Sequence, residues 1–289
     1  MRSLLFIPGD SPNKLDKGMG SGADALILDL EDSISPQRKA QARATTVAFL
    51  NEARGAKERP RLYVRVNGLQ TGLTDDDLGA VVAGRPDGIM LPKAEGGTAV
   101  IHCDAKIAAR EAILGLPDGG LDIIAIATET AAALFLAGSY AGSSKRLKGL
   151  TWGAEDLSVE LGAEANRDRD GNFLAPYQLA RSLCLAGAAA AQVQAIDTVF
   201  VDFRNETGLK RECEEARRDG FTGKMAIHPA QVAVINAVFT PTAEAIARAE
   251  AVIAAFAADP GAGTIGIGGV MYDRPHLERA RQLLARAKR

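Results

Sequence analysis

The chain has 289 residues, enough for one large domain or two modest ones, and enough to bury a core without disulfide or zinc staples. Lys and Arg number 34 against 36 Asp and Glu, a formal net charge of -2 that argues against nucleic acid as the main partner. A composition of 47% hydrophobic and 24% charged residues is that of a soluble globular protein and excludes disorder.

The first apolar run, Leu4-Leu5-Phe6-Ile7, ends at Pro8-Gly9-Asp10, which is not the pattern of a signal peptide. Seven short runs follow: Ala25–Leu28, Leu62–Val66, Gly88–Leu91, Ile123–Ala127, Gly149–Trp152, Thr198–Val201 and Met225–Ile227. Most are continuous rather than alternating, as strands covered on both faces require. Their ends recur about every 31 residues, close to one βαβ unit. Helical patterns fill the gaps. Ser35 and Pro36 read as cap and first residue of a helix over 36–54. The Ala-rich stretches 97–114 and 175–194 favour helix, and the charged stretch 206–218 reads as an outer helix.

Eight strands alternating with helices predict a (β/α)8 TIM barrel over 1–238. An open, doubly wound sheet is the alternative, but no G-x-G-x-x-G follows the first strand. Residues 239–289 remain as a C-terminal helical extension. It holds an amphipathic helix over 241–256, a Gly-rich loop over 259–269, Val270–Asp273 and a helix over 275–288. An extension this small should pack on its own barrel or on a neighbouring subunit. The longest uncharged apolar-rich stretch, 182–196, carries two glutamines and is too short to span a membrane. Three scattered cysteines and three scattered histidines suit a reducing cytoplasm and exclude thiolate and H-E-x-x-H metal sites.

A barrel places its active site at the C-terminal ends of its strands. Those positions hold Asp29, Glu31 and Asp32 after the second strand, Arg65 and Asn67 at the third, and Lys93 after the fourth. Glu129 follows the fifth, Glu155 and Asp156 the sixth, Asp202 and Arg204 the seventh, and His228 and Pro229 the eighth. Singly, each acid could cap a helix, Asp29, Asp32 and Asp156 among them. As a ring they repel unless a cation sits among them. Oxygen donors without clustered Cys or His point to Mg2+ or Mn2+. Arg65 would clamp a carboxylate or stabilise developing negative charge. Acidic neighbours would keep Lys93 charged and unsuited to a Schiff base.

Eight motifs in order, RSLLFIPGD (2–10), LDLEDS (28–33), VRVNG (64–68), LPKAE (91–95), TETAAAL (128–134), GAEDLSVELG (153–162), IHPAQV (227–232) and VMYDRPHLERA (270–280), resemble the citrate lyase beta subunit-like family of the HpcH/HpaI aldolase/citrate lyase superfamily. The resemblance implies a barrel that binds Mg2+ and cleaves or forms a carbon–carbon bond beside a coenzyme A thioester. Glu129 and Asp156 then correspond to the metal ligands, and Arg65 to the arginine facing the substrate. Glu31 and Asp32 correspond to groups around metal-bound water. Asp273 matches an acid/base carboxylate that reaches an adjacent subunit's site, which implies a homo-oligomer, a trimer or hexamer in relatives. Pro8, Lys14, His228 and Pro229 lie where relatives contact the cofactor's nucleotide or pantetheine. The Gly-rich 259–269 segment and Tyr272 depart from the pattern. A 2-oxo-acid aldolase, an acyl-CoA thioesterase and a citrate lyase subunit acting on a carrier-protein thioester are the alternatives.

Overall fold

Strand and helix alternate through residues 1–287, which the computed structural model describes. Strand β1 (Ser3–Pro8) leads to α1 (Pro12–Met19), β2 (Ala25–Asp29) to α2 (Lys39–Ala53), β3 (Arg61–Arg65) to α3 (Thr74–Val81) and β4 (Gly88–Leu91) to α4 (Gly96–Ile113). Strand β5 (Asp122–Ile126) is followed by the short α5 (Ala131–Leu134), and β6 (Leu147–Thr151) by α6 (Ala154–Glu160) and α7 (Ala175–Ala190). Strand β7 (Gln194–Asp197) precedes α8 (Glu206–Asp219), and β8 (Gly223–Ala226) precedes α9 (Ala230–Phe239).

The eight strands form one closed barrel in sequence order, with all neighbours parallel. Pairing of Leu4 with Met225 and Leu5 with Ala226 joins β1 to β8, so no edge is left to aggregate. Leu4, Ile27, Met90, Ile124, Ile196 and Met225 fill the interior. Their neighbours along the strands face the helices, and β2 is buried at every position. Burial on both faces is why the runs read as continuous.

Three expectations change in the barrel. The seventh strand is Gln194–Asp197, not 198–201, so its end is Asp197 rather than Asp202. The apolar run 198–201 follows the strand instead of forming it. Lys224 and Trp152 neutralise and hydrogen-bond Asp197, which lets a charged residue sit in a buried strand. Ser35 makes no capping bond, and Pro36–Arg38 is a 3-10 turn ahead of α2. The helix expected through 194 stops at Ala190 so that β7 can begin.

From Ala237 the chain forms a second compact unit. Helix α10 (Ala243–Ala258) is capped by Thr242, whose hydroxyl accepts from Ala245 N at 3.2 Å, so Pro241 lies outside it. Part of the expected Gly-rich loop is strand β9 (Thr264–Ile267), paired antiparallel with β10 (Val270–Asp273). Gly268 and Gly269 join them, both with positive φ, as a two-residue hairpin turn of the primed type needs. Helix α11 (Arg274–Ala287) starts one residue before the expected start at Pro275, and Lys288 lies outside the described residues. Val252 and Phe256 of α10 pack on Leu277 and Ala280 of α11.

Residues 230–258 are apolar enough to cross a membrane by length and composition. They divide at Thr240–Thr242 into helices of 10 and 16 residues, each shorter than the roughly 20 a span needs. Cys103, Cys184 and Cys213 are free and buried, and burial pushes the thiols of Cys103 and Cys213 up to about 12. Cys184 is raised by the same cause.

Candidate active site

Asp29 closes β2 and is 2% exposed. Its two oxygens accept from Arg65 Nε and Nη2, both at 2.7 Å, a bidentate pair between neighbouring strands. The same oxygens accept from the amides of Glu31 at 2.9 Å and Ser33 at 3.1 Å, which folds the acidic loop back over the strand end. Burial opposes the charge on Asp29, but the bonds and charge of Arg65 win and hold its carboxyl below the usual range. Gly9 allows this approach: its amide donates to Asp29 O at 2.8 Å, and an added Cβ would stand 2.8 Å from that oxygen.

Arg65 turns its remaining Nη1 toward Glu31 Oε2 at 2.9 Å and Asp32 Oδ2 at 3.6 Å. Glu31 Oε2 is buried and has no aligned hydrogen bond. Lys93 Nζ donates to the other Glu31 oxygen at 2.6 Å and lies 3.2 Å from Asp156 Oδ1. Its backbone is left-handed, φ +49°, and aims its amide at Glu129 Oε1. One residue thus touches Glu31, Glu129 and Asp156. Burial disfavours the Lys93 ammonium, but its bond to Glu31 and the charges of Glu31, Glu129 and Asp156 win and raise its pKa. A lysine held charged is no Schiff-base nucleophile.

Glu129 follows β5 and is 1% exposed. Burial, then the charge of Asp156, pushes its carboxyl up to about 8. Burial also pushes Glu31 to about 7. Asp156 stands in the first turn of α6 and makes no capping bond there; the N-cap is Gly153. Gly153 packs flat on Glu129, where an added Cβ would stand 2.9 Å from Oε2. Both donors are oxygens, which suits a hard divalent cation. Among the described residues no three His, Cys, Asp or Glu side chains converge as a ready ligand set. Two carboxylates are enough for Mg2+, which keeps water in its other positions.

The structure therefore brings together Glu31, Asp32, Arg65, Glu129 and Asp156 of the expected site. Asp29 and Lys93, both among the strand-end residues of the sequence reading, join them, and Gly153 packs against Glu129. Pro8 pairs with Asp29 across β1 and β2, beside the cluster. Lys14 is exposed on α1. His228 and Pro229 are exposed after β8. The His228 ring stacks on Phe203, centroids 4.6 Å apart, and lines a cleft of about 340 Å³ with Arg204 and Gln231. Asp273 ends β10 in the second unit. Its carboxylate meets Nδ1 of His276, a contact that holds its pKa below the ordinary value.

Residues 2–229 match the model of the HpcH/HpaI aldolase/citrate lyase family. The chain belongs to this family. It is 38% identical to a (3S)-malyl-CoA thioesterase of Cereibacter sphaeroides, over 99% of this chain and 94% of that one. It is 35% identical to the citrate lyase subunit beta of Leuconostoc mesenteroides, over 98% and 92% of the two chains. A mitochondrial citramalyl-CoA lyase of Mus musculus is 33% identical, over 99% and 86%. Among solved structures, CitE of Mycobacterium tuberculosis in complex with magnesium, acetoacetate and coenzyme A superposes with a TM-score of 0.80. That pair is 32% identical and covers 100% of both chains. The barrel expected from strand spacing is thus the family's fold, and the family is one of lyases.

Proposed function

We propose that this protein is a Mg2+-dependent carbon–carbon lyase. Its substrate would be a carboxylate-bearing 3-hydroxyacyl-CoA of the malyl-, citramalyl- or citryl-CoA type, cleaved to acetyl-CoA and a 2-oxo acid, or formed in reverse. The observation that carries the reading is the Glu129–Asp156 pair: a buried carboxylate beside a second one, with the one ammonium of Lys93 shared between Asp156 and Glu31. Glu129 and Asp156 would hold the ion, with Mn2+ as a substitute. When bound, it supplies Lewis-acid polarisation of the 2-oxo acid's oxygens. The CitE complex with magnesium and coenzyme A supports the same reading.

The chain's own residues then divide the work. The 3-hydroxyl loses its proton, the carbon–carbon bond breaks, and the electron pair passes to the thioester as an enolate. Glu31, its carboxyl at about 7, suits the proton acceptor near neutral pH. Arg65, its plane fixed by Asp29, faces negative charge with Nη1. Asp32 helps orient water at the mouth. Asp273, contributed by a neighbouring subunit of a trimer or hexamer through the 239–289 extension, would exchange the proton at the enolate carbon. Pro8, Lys14, His228 and Pro229 would contact the coenzyme A moiety. The protein would work in the cytoplasm.

A second reading, acyl-CoA hydrolysis, is favoured by the thioesterase relative. One assay separates them. Purified chain is given malyl-, citramalyl- and citryl-CoA with Mg2+ or EDTA, and 2-oxo acid and free coenzyme A are both measured. The lyase reading expects EDTA-sensitive 2-oxo acid without free coenzyme A. Free coenzyme A without 2-oxo acid would establish hydrolysis instead. Asp156→Ala should abolish the metal-dependent release while the circular dichroism spectrum is unchanged; full activity would remove Asp156 from the site.

A further inference from the structure

Between the barrel wall and its helices, side chains form a closed circuit around β6, β7 and β8. Asp197 and Lys224 alternate along their strands with the interior residues Ile196 and Met225, so both face the helix layer. Lys224 Nζ donates to Asp197 Oδ2 and to Glu212 Oε1, each at 2.7 Å. Glu212 Oε2 accepts from Arg167 Nη1 at 2.7 Å. The Arg167 guanidinium lies 3.6 Å from the centroid of Phe173, and Phe173 meets Trp152 edge-on, centroids 5.0 Å apart. Trp152 Nε1 donates to Asp197 Oδ1 at 2.8 Å and closes the circuit. Trp152, Asp197 and Lys224 are 0% exposed.

A buried ion network is weak evidence of net stability, because desolvation offsets most of the attraction. What this one does supply is position. It ties the Arg167–Phe173 bridge, in the connection from α6 to α7, to three strands and α8. The same connection reaches the site from its other side, where Asn166 Nδ2 donates to Glu155 Oε1 at 2.8 Å, next to Asp156. Trp152 directly precedes Gly153, the residue that lies flat on Glu129.

We propose that Arg167, Glu212, Lys224 and Asp197 are positioning residues: through Trp152 they hold the β6–α6 turn against the Glu129 carboxylate and so set the affinity of the cation site. The inference rests on the reading of Glu129 and Asp156 as the cation pair. Arg167 is the outermost link, 19% exposed at its side chain, and the one that can be removed without stranding the buried Lys224.

The test uses the full chain and Mn2+ alone as the probe, titrated calorimetrically without substrate. Arg167→Met should weaken Mn2+ binding about tenfold, as loss of an outer-shell support does elsewhere, with Arg167→Lys between it and wild type. Trp152 is the only tryptophan in the chain, so its emission reports on the circuit in EDTA. It should shift to the red in Arg167→Met as Phe173 loosens. Trp152→Phe keeps an aromatic ring beside Phe173 but loses the Nε1–H donor and part of the indole, so it should weaken Mn2+ binding likewise if Arg167→Met does not fold. Wild-type affinity in the folded variants, or an unmoved emission in Arg167→Met, would overturn the inference and leave the cation pair standing. If the wild-type chain binds no Mn2+ and Glu129→Gln changes nothing, the cation reading fails and this inference goes with it.

Discussion

Glu129 shows how a single carboxyl can link fold stability to pH. Its folded pKa of about 8 and that of Glu31, about 7, lie above the ordinary 4.5. A raised acid favours folding below its unfolded pKa and loses that favour as pH rises through the folded one. In EDTA, then, the melting temperature of the wild type should fall between about pH 5 and pH 8. In Glu129→Gln much of that fall should vanish, a difference on the order of 5 °C by calorimetry at pH 8. An equal fall in both chains would mean Glu129 does not carry it. Gly153→Ala should lower Mn2+ affinity about tenfold, because the added methyl meets Glu129 Oε2 while the helix start is otherwise unstrained. The places of Glu129 and Asp156 at one mouth were legible in the sequence because a barrel gathers its strand ends there, while their pairing came only from the resemblance of their motifs. The role of Asp29 was not legible. Only its bidentate fit to Arg65, 36 residues away, separates an arginine clamp from a helix cap. Lys93 was legible as a charged lysine, but nothing local announced the left-handed backbone that turns its amide onto Glu129.

The strands were read from runs of apolar residues, and seven of them lie within a residue or two of where those runs fall. β7 escaped because both its ends are polar, Gln194 and Asp197, while a more apolar run follows it. Its polar end is bought back by partners from β8 and from the residue after β6, which no local window contains. β9 escaped for a related reason: glycines hid a hairpin whose turn needs them. Replacing Gly268 and Gly269 with valine should cost about 1–2 kcal/mol per left-handed position. Amide exchange at Ile265 and Tyr272 should quicken while the barrel amides stay protected. If Asp273 acts as an acid/base group, turnover should fall in the same variant with Mn2+ affinity unchanged.

For the molecule as a whole, the proposed cross-subunit role of Asp273 makes a separate demand. Asp273→Asn and Asp156→Ala chains, each inactive, should regain part of the activity when refolded together, since some mixed sites would carry both intact groups. No recovery in assemblies verified as mixed by mass spectrometry would count against the role. The barrel's buried charges set a different limit. Lys224→Met takes away the ammonium that Asp197 and Glu212 share, leaving Asp197 with Arg181 at 3.5 Å and Glu212 with Arg167 at 2.7 Å, so it should cost about 3–5 kcal/mol by denaturant unfolding. Finally, all three cysteines are buried on helices around the barrel, Cys103 on α4, Cys184 on α7 and Cys213 on α8, and burial makes their thiols still weaker acids than an ordinary cysteine. The folded protein is therefore silent toward disulfide dyes. Colour developing in a reaction mixture comes from a freed cofactor thiol and from nothing else, so hydrolysis can be watched second by second, while cleavage to acetyl-CoA leaves the cuvette clear.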